Sequence, residues 1–261
     1  MEMEEAKRKY QGLVEAIRTM GNVAIAFSGG ADSTLLLKAA LDSGAKVTAF
    51  MAIGETFFPE EQSRAIHLAD NMGVDVVTLD IDLVNDGQFV RNWEDRCYVC
   101  KSIIFGEIKK EARKLDIPYI LEGSHMDDLK EVRPGRGALA DLNIRSPLVD
   151  AQLTKGEVRA LLKDMGLPNW DLPSNTCLAT RVPYDVRITS TILRRVERAE
   201  AALAHYKFKN LRVRDHEHWA RIEVAPEDIP RLFSERENVV QALKKLGYRK
   251  VALDLEGYGT R

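Results

Sequence analysis

The sequence has little cysteine, no long apolar run and no excess of charge of either sign. Three cysteines occur among 261 residues, and 38 basic residues stand against 40 acidic ones, for a net charge of −2. An odd and small cysteine count does not suit the disulfide framework of a secreted protein. No run approaches the roughly 18 apolar residues of a membrane span. A near-neutral chain is also a poor candidate for binding nucleic acid through a basic face.

The first twenty residues alternate charged and apolar side chains and contain no apolar core of a secretory signal. We therefore expect a cytoplasmic protein without a membrane partner. With 45% hydrophobic residues, the chain is long enough to bury a core without disulfide or metal support. One large domain or two unequal ones would account for this length.

Strand-like and helical segments alternate through the first half of the chain. The apolar run at 22–27 predicts a strand buried on both faces, and residues 33–41, closed by Ser43-Gly44, predict a helix. Further strand-like segments lie at 46–52, 74–79 and 117–121, and further helical ones at 59–72 and 100–115. This order predicts a doubly wound α/β domain with a parallel sheet.

Irregular segments rich in glycine, proline and aspartate follow, at 133–137, 166–168 and 172–175. Long irregular segments in a compact chain tend to be functional. One helix is predicted among them, at 154–165, because Thr154 and a glutamate three residues later form a capping-box pattern.

The last part of the chain has a different order of predicted helices and strands. It predicts helices at 189–206 and 226–246 and strands at 211–214, 220–224 and 249–255. The order indicates a small α+β domain. On composition and periodicity we place the domains at 1–186 and 187–261.

The most specific motif is the segment Ala26-Phe-Ser-Gly-Gly-Ala-Asp-Ser-Thr34, between the first predicted strand and the helix that follows. Glycines at this place let the backbone approach a phosphate, while Ser28, Ser33 and the helix N-terminus supply donors to an anion. The Gly-Lys-Ser/Thr of the common P-loop is absent. A plain glycine turn is the alternative, but the rarity of this pattern favours phosphate binding.

The three cysteines are the second candidate centre. Cys97 and Cys100 form a CxxC pair at the start of a predicted helix, beside Arg96 and Lys101, and Cys177 lies in a polar loop. Helix-end donors and neighbouring cations favour a reactive thiolate. A zinc site completed by one of the five histidines, a redox pair, structural thiols and an iron-sulfur cluster with one open iron are all consistent with this pattern.

The SGGADS motif resembles the PP-loop of the ATP pyrophosphatases, which split ATP between the α- and β-phosphates. The resemblance implies a fold of the adenine nucleotide alpha hydrolase type and a site that holds pyrophosphate with Mg²⁺, Asp32 acting in catalysis. The implied ligands are Ser28, Gly29, Gly30, Asp32 and Ser33.

A closer resemblance extends over almost the whole chain. The segments RCYVCK, LEGSHMDDLKEVRPGRGALADLNIRSPL, LPSNTCLATRVPY and RVRDH, together with the loop, resemble the LarE family of ATP-dependent sulfur transferases. The resemblance implies adenylylation of a pyridinium carboxylate mononucleotide and replacement of its oxygen by sulfur. The product belongs to biosynthesis of the nickel-pincer nucleotide used in lactate racemization. It also implies a homo-oligomer, such as a hexamer.

The family has two branches, which use their cysteines differently. In one, the cysteine matching Cys177 donates its own sulfur and becomes dehydroalanine; in the other, three cysteines carry a [4Fe-4S] cluster. This chain has Cys97 and Cys100 beside Cys177, so it resembles the cluster branch. The resemblance implies that all three are metal ligands, that Cys177 acts in catalysis, and that sulfide or another sulfur donor is a partner.

The substrate end is predicted from arginines near the C-terminus. Arg212 and Arg214 are two apart on a strand-like segment, hence on one face, where they could bind a phosphate monoester. Glu223 in the neighbouring strand-like segment could orient an arginine or bind a ribose hydroxyl. An ordinary exposed strand explains the pattern equally well, and the family resemblance favours the phosphate site. His216 and His218 are interpreted as surface residues.

Three further positions are candidates. Trp93 offers a flat face for a pyridinium ring, although a lone tryptophan more often packs in a core. Arg181 could neutralise a phosphate or the departing carboxylate oxygen, or pair with Asp171 or Asp185. Asp127 or Asp128 follows a predicted strand and could touch ATP or its metal, the alternative being an ordinary capped loop.

Two other functions use the same features. A tRNA-thiolating enzyme would employ the same activation, but the charge of −2 and the lack of an appended RNA-binding module speak against it. A non-catalytic nucleotide-binding sulfur carrier would keep the loop and the thiols without turnover.

Overall fold

The computed structural model describes residues 2–130, 134–172 and 176–258. The irregular segments predicted at 133–137 and 172–175 therefore fall partly outside the described residues. The chain forms two compact units. The first comprises Met1–Gly54, Pro59–Ile81 and Asp95–Ser174, and the second comprises Glu55–Phe58, Asp82–Glu94 and Asn175–Arg261. The domain boundary placed near residue 186 stays a prediction.

The first unit is an α/β layer structure around one parallel sheet, as the alternating segments predict. Its elements are α1 (Glu2–Met20), β1 (Asn22–Ala26), α2 (Ala31–Asp42), β2 (Lys46–Ile53), α3 (Pro59–Asn71), β3 (Val76–Asp80), α4 (Arg96–Lys114), β4 (Tyr119–Leu121), α5 (Gly135–Asp141), α6 (Pro147–Asp150) and α7 (Lys155–Asp164). The described strands are all parallel and stand in the order β3-β2-β1-β4. This confirms the doubly wound prediction.

Strand β1 shows why its sequence is an unbroken apolar run. Val23 and Ile25 pack into a core with residues of α1, α2, α3 and α7, whereas Ala24 packs into a second core with residues of α4. Successive side chains point to opposite faces of a strand, so a strand covered by helices on both faces is apolar at every position.

Helix α7 begins as its sequence predicts. The Thr154 hydroxyl accepts from the Glu157 N–H at 3.3 Å, and the Thr154 N–H donates to the Glu157 carboxylate at 2.8 Å. This reciprocal pair satisfies two donors of the helix start. It fixes Lys155 as the first residue of the helix.

The second unit contains a small mixed sheet. Its elements are α8 (Ser190–Leu203), β5 (Arg212–His216), β6 (Trp219–Glu223), α9 (Ile229–Ser234), α10 (Arg236–Lys245) and β7 (Lys250–Leu253). Strand β6 pairs antiparallel with β5 and parallel with β7. Side chains of α8 and α10 pack with the sheet in one core. The prediction of a small α+β unit is confirmed.

The single helix predicted at 226–246 is wrong. A short 3-10 turn at Pro226–Asp228 leads into α9, and α10 follows after Glu235. Pro230 lies in the first turn of α9. Proline lacks the N–H and is accommodated only in the first turn, so a helix must start near residue 230 rather than pass through it.

No helix in the described part of the chain is both long enough and apolar enough to span a membrane.

Candidate functional site

The phosphate loop joins β1 to α2 at the point where the strand order reverses. Strand β1 has β2 on one side and β4 on the other, and open α/β sheets bind ligands at such a point. The Ser33 hydroxyl lies 3.1 Å from the Ser28 hydroxyl and bonds to the Ser28 N–H at 3.2 Å and the Gly30 carbonyl at 3.2 Å. The residue that precedes α2 is Gly30, and no N-cap side chain bonds to the N–H groups of the first turn of α2. The first N–H groups of α2 can therefore donate to an anion.

Gly29 is a position where only glycine fits. Its φ is +73°, and a Cβ placed there would lie 2.4 Å from the Cβ of Ala65 in α3. Its carbonyl accepts from the amide of Asn169 at 3.0 Å, and that amide also donates to the Thr34 hydroxyl at 2.8 Å. The loop is thus packed from one side by α3 and tied from another by Asn169, a buried residue with no sequence motif around it.

Asp32 in the first turn of α2 is paired with Lys155 in the first turn of α7. The Lys155 ammonium contacts both carboxylate oxygens, at 2.8 and 2.6 Å. The common P-loop carries its lysine within the loop, whereas here a lysine 123 residues later stands beside the loop. Lys155 is not among the residues predicted from the sequence, where its only signal is its place at the start of a well-capped helix.

Asp127 and Asp128 both hold local backbone. Asp127 accepts from the N–H of Lys155 at 2.8 Å and from the Lys130 ammonium at 2.7 Å. Asp128 accepts from the N–H of His125 at 3.0 Å. These bonds lower the pKa of Asp127, with Lys130 the largest cause. The contacts are those of the capped-loop alternative, and Asp127 acts by fixing the start of α7.

His125 is a buried side chain beside the phosphate loop. Its Nε2 lies 3.5 Å from the Asp128 carboxylate and 3.9 Å from Asp32. Its Nδ1 is buried and has no hydrogen-bond partner among the described residues. Nearby, Glu122 at the end of β4 accepts from the hydroxyls of Ser124 at 2.9 Å and Ser146 at 2.5 Å. The ends of β1 and β4 thus place polar groups side by side.

The CxxC pair lies on the first two turns of α4, which begins at Arg96 rather than at Cys100 as predicted. Cys97 is exposed, Cys100 is half-buried, and neither forms a disulfide. Residues three apart on a helix share a side, so the two thiols are on the same side of α4. Helix α5 packs closely here, because a Cβ on Gly135 would lie 3.2 Å from the Cys97 carbonyl.

Cys177 belongs to the second unit and opens the 3-10 turn Leu178–Arg181. Its carbonyl accepts from the N–H and the hydroxyl of Thr180, at 3.0 and 2.7 Å, and from Arg181 at 3.2 Å. Its thiol forms no disulfide. Within either unit, the described residues contain no group of three His, Cys, Asp or Glu side chains placed to hold a metal ion.

Arg181 is fully buried and bonded to protein groups. It forms a two-point ion pair with Glu200 of α8, at 2.9 and 3.0 Å, and donates to the carbonyl of Thr176 at 2.7 Å. Its ion-pair partner is therefore Glu200 rather than Asp171 or Asp185. These contacts make Arg181 a residue that holds the turn of Cys177.

Arg214 and Glu223 also form a two-point pair, at 3.0 and 2.7 Å. Arg214 also donates to the Thr180 carbonyl at 2.6 Å. Arg221 of the neighbouring strand donates to the same Glu223 carboxylate at 3.0 Å. Burial raises the pKa of Glu223, but the ion pairs with Arg214 and Arg221 outweigh burial and hold the pKa below its usual value.

Arg212 lies deeper than Arg214. It is buried, its guanidinium stands 4.9 Å from the ring of Tyr258, and it donates to the Leu211 carbonyl at 2.8 Å. Burial lowers the pKa of Arg212, and the charge of Arg181 adds to this effect. Glu223 forms its two-point pair with Arg214, and the role of Arg212, Arg214 and Glu223 in substrate binding stays a prediction.

Trp93 is half exposed, and the Arg91 guanidinium lies 5.1 Å from its ring. One face of Trp93 therefore already carries a cation. His216 stacks on Trp219 at 4.2 Å, and His218 is exposed at the turn between β5 and β6.

No family model matches the sequence, but curated proteins do. The chain is 36% identical over 253 residues to an uncharacterized protein of Synechocystis, covering 96% of this chain and 94% of that protein. It is 31% identical over 239 residues to an uncharacterized protein of Methanocaldococcus jannaschii, covering 90% of each.

A third relative is the pyridinium-3,5-bisthiocarboxylic acid mononucleotide synthase of Lactiplantibacillus plantarum, a LarE protein. Identity is 35% over 248 residues, covering 94% of this chain and 90% of the synthase. The chain belongs to the LarE family. As a LarE protein it is an ATP-dependent sulfur transferase.

Proposed function

We propose that this LarE protein activates the carboxylate of a pyridinium mononucleotide with ATP and replaces a carboxylate oxygen by sulfur, in nickel-pincer nucleotide biosynthesis. The observation that carries the proposal is the phosphate loop with Asp32 and Lys155 at its mouth. The relation to the Lactiplantibacillus plantarum synthase supports the choice of substrate.

The residues at the loop fit the triphosphate of ATP and its Mg²⁺. The close approach of α3 at Ala65 requires glycine at position 29 and holds the loop backbone against that helix. Asp32 supplies the carboxylate oxygens that Mg²⁺ prefers, and Lys155 supplies a cation for the phosphates. With ATP and Mg²⁺ bound, Asp32 would be the residue that holds the metal, and Lys155 would be the residue that contacts the phosphates. Ser28 and Ser33 supply further donors.

The reaction then runs in two steps. A carboxylate oxygen attacks the α-phosphorus, the bond to the β-phosphate breaks, and pyrophosphate leaves with its electron pair, held by the loop and Lys155. The acyl adenylate has AMP as its leaving group. A sulfur nucleophile adds to the acyl carbon, AMP departs, and a thiocarboxylate results. The positive charges near the loop stabilise the charge that develops on pyrophosphate.

The donor chemistry is that of an iron-sulfur cluster, whose protein ligands are thiolates: Cys97 and Cys100 share one side of α4, and none of the three cysteines is used in a disulfide. Cys97, Cys100 and Cys177 would hold a [4Fe-4S] cluster. Such a cluster supplies one iron without a protein ligand, where exogenous sulfide can bind. The ion pair of Arg181 with Glu200 and the Thr180 hydroxyl fix the main chain at Cys177.

Pyrophosphate release tests the proposal. We expect release from ATP that depends on the pyridinium carboxylate mononucleotide, and loss of at least a hundredfold of it in Asp32→Ala. Asp70→Ala, an exposed carboxylate on α3, is the control. Release that ignores the carboxylate, or an Asp32→Ala protein with full turnover, would contradict the proposal. A protein that binds ATP and releases nothing would be the non-catalytic carrier.

A further inference from the structure

Asn92 is a fully buried polar residue that directly precedes Trp93. It ends the 3-10 turn Phe89–Arg91 with a left-handed backbone, φ 60° and ψ 39°, and its exposed fraction is 0%. Asparagine adopts this conformation more readily than most residues other than glycine. The position of Asn92 therefore fixes where the backbone of Trp93, the predicted ring-binding residue, begins.

The side-chain amide of Asn92 binds the segment that follows the turn of Cys177. It donates to the Pro183 carbonyl at 2.6 Å and to the Val186 carbonyl at 2.9 Å, which uses both of its N–H donors. In return, the Asn92 carbonyl accepts from the Asp185 N–H at 3.1 Å. The 3-10 turn that Cys177 opens ends two residues before Pro183. The amide thus joins the segment of Trp93 to the segment of Cys177.

The two segments have little regular structure of their own. Residues 92–94 and 182–188, all of them described, form neither helix nor strand. A backbone bond from the Ile188 N–H to the Val90 carbonyl, at 3.0 Å, adds to the contacts of Asn92. All of these contacts lie within the second unit. A buried carbonyl that loses its donor is destabilised, so the two segments depend on the Asn92 amide to stay together.

We propose that Asn92 is a positioning residue for sulfur transfer: its amide fixes Trp93 and the turn of Cys177 relative to each other, so that the acyl adenylate and the sulfur meet in one geometry. The inference rests on the proposed function, in which the substrate carries a pyridinium ring and Cys177 takes part in the second step. Loss of the amide should spare adenylylation, because the phosphate loop belongs to the first unit. Misplacement of reacting groups by about 1 Å can slow a reaction by roughly a hundredfold.

The ratio of two products tests the proposal. Pyrophosphate reports adenylylation and thiocarboxylate reports sulfur transfer; both are measured with saturating mononucleotide, with sulfide, and with ATP below the concentration of the chain. We expect the wild type to form them in equal amounts. Asn92→Gly keeps the left-handed backbone and should form at least about tenfold less thiocarboxylate per pyrophosphate, as water consumes the adenylate. Its pyrophosphate release should stay within about twofold of the wild type.

Hydrogen exchange gives a second readout, which does not depend on turnover. The N–H groups of Asp185 and Ile188 donate from one segment to the other in the wild type, so their protection reports the contact directly. In Asn92→Gly both should exchange at least about tenfold faster.

The control is Asn210→Gly, at a residue of the same unit with the same left-handed backbone, φ 55°, which should keep the wild-type ratio and protection. An unchanged ratio in Asn92→Gly would overturn the inference and leave the proposed function standing. Equal losses of both products would show a structural role only and would also overturn it. If Asn92→Gly does not fold, the same ratio is measured in Asn92→Asp, which keeps the side-chain volume but has no N–H donor.

A wild type without substrate-dependent pyrophosphate release would instead contradict the proposed function. Hydrogen exchange would then still decide whether Asn92 joins the two segments, and unchanged protection in Asn92→Gly would overturn that role.

Discussion

Lys155 brings to the phosphate loop a charge that comes from a distant part of the chain. Its ammonium lies against both oxygens of Asp32, and its N–H is bonded to Asp127. The side chain is 24% exposed. The pair holds the ammonium and the carboxylate in place before ATP binds. The phosphates of ATP could then replace Asp32 as the partner of Lys155, and the metal could replace Lys155 as the partner of Asp32.

Removal of this ammonium is expected to weaken ATP binding. Hydrogen bonds to charged groups contribute about 1.5–3 kcal/mol, so Lys155→Gln should raise the dissociation constant for ATP by about tenfold to a hundredfold. Calorimetric titration with ATP and Mg²⁺ measures this. The control is Lys163→Gln, which removes the same charge from the same helix. The Lys163 ammonium lies over the ring of Trp170, and this variant should bind ATP normally. Equal losses in both variants would remove Lys155 from the site.

Glu223 makes the second unit sensitive to acid. Its pKa is lowered in the folded chain, because the pairs with Arg214 and Arg221 outweigh burial. A carboxyl with a lowered pKa stabilises the fold above its unfolded value of about 4.3, and this stability is lost as the pH falls through the lower folded value. Glu223→Gln should therefore flatten the fall in stability below about pH 4.3.

Urea unfolding at several pH values measures that dependence. The matched control is Glu237→Gln, a glutamate with an 86% exposed side chain in the same unit, which should leave the fall in stability at low pH unchanged. If stability falls as steeply at low pH in Glu223→Gln as in the wild type, groups other than Glu223 cause that fall.

The positions of the helix N-termini determine where the side chains of the site lie. Helix α7 starts at a capping box and carries Lys155 in its first turn. Helix α8 starts at Thr189, whose hydroxyl accepts from the Ile192 N–H at 3.3 Å. The two caps are chemically alike, but the first begins the helix whose Lys155 pairs with Asp32 of the phosphate loop, whereas the second begins a helix of the second unit.

Replacement of each cap separates stability from function. Thr154→Ala and Thr189→Ala should each destabilise the protein by about 1 kcal/mol. Only Thr154→Ala should also weaken ATP binding, because the first turn of α7 no longer holds Lys155 against Asp32. Thermal unfolding and ATP titration of both variants provide the comparison. Equal ATP affinity in the two variants would show that Lys155 is positioned by Asp127 alone.

The elements that local sequence determines were predictable. The phosphate loop and the cap of α7 each lie within a few residues, so their signals are contiguous. The contacts that complete the site are distant: Lys155 meets Asp32 across 123 residues and Asn169 meets Gly29 across 140. Such contacts cannot be predicted from the spacing of residues in the sequence, because they depend on the strand order that brings the residues together.

Two differences between the sequence-based predictions and the structure have physical causes. A single helix at 226–246 is incompatible with Pro230, which fits only in the first turn of a helix. For Arg181, the sequence offers Asp171 and Asp185 as nearby acidic partners, but the carboxylate that the fold supplies is Glu200 on α8. A buried arginine pairs with the carboxylate that tertiary packing brings near, and sequence distance has little influence on that choice.

At the scale of the whole molecule, the question is how many times one chain can deliver sulfur. Cys97 and Cys100 belong to the first unit and Cys177 to the second. If the three thiols hold a cluster, protein purified without oxygen should contain about four iron and four acid-labile sulfide atoms per chain. It should then form several thiocarboxylates per chain when sulfide is supplied.

Cys97→Ser and Cys100→Ser should each lose the iron and the visible absorption of the cluster. Mass spectrometry of Cys177 after reaction gives the opposing outcome. One thiocarboxylate per chain, with dehydroalanine at Cys177 and no iron, would show that the cysteine is consumed and that the CxxC pair has another use.

The turn at Cys177 is held through a main-chain oxygen, which accepts from Thr180 and Arg181. None of these bonds involves the side chain of residue 177. A lineage could therefore exchange a consumable thiol for a metal-binding one, or the reverse, while inheriting the same turn unaltered. The main-chain bonds around this position are compatible with a cysteine that donates its own sulfur and with one that binds a cluster. A change between the two uses therefore needs new cysteines elsewhere in the chain rather than a new fold.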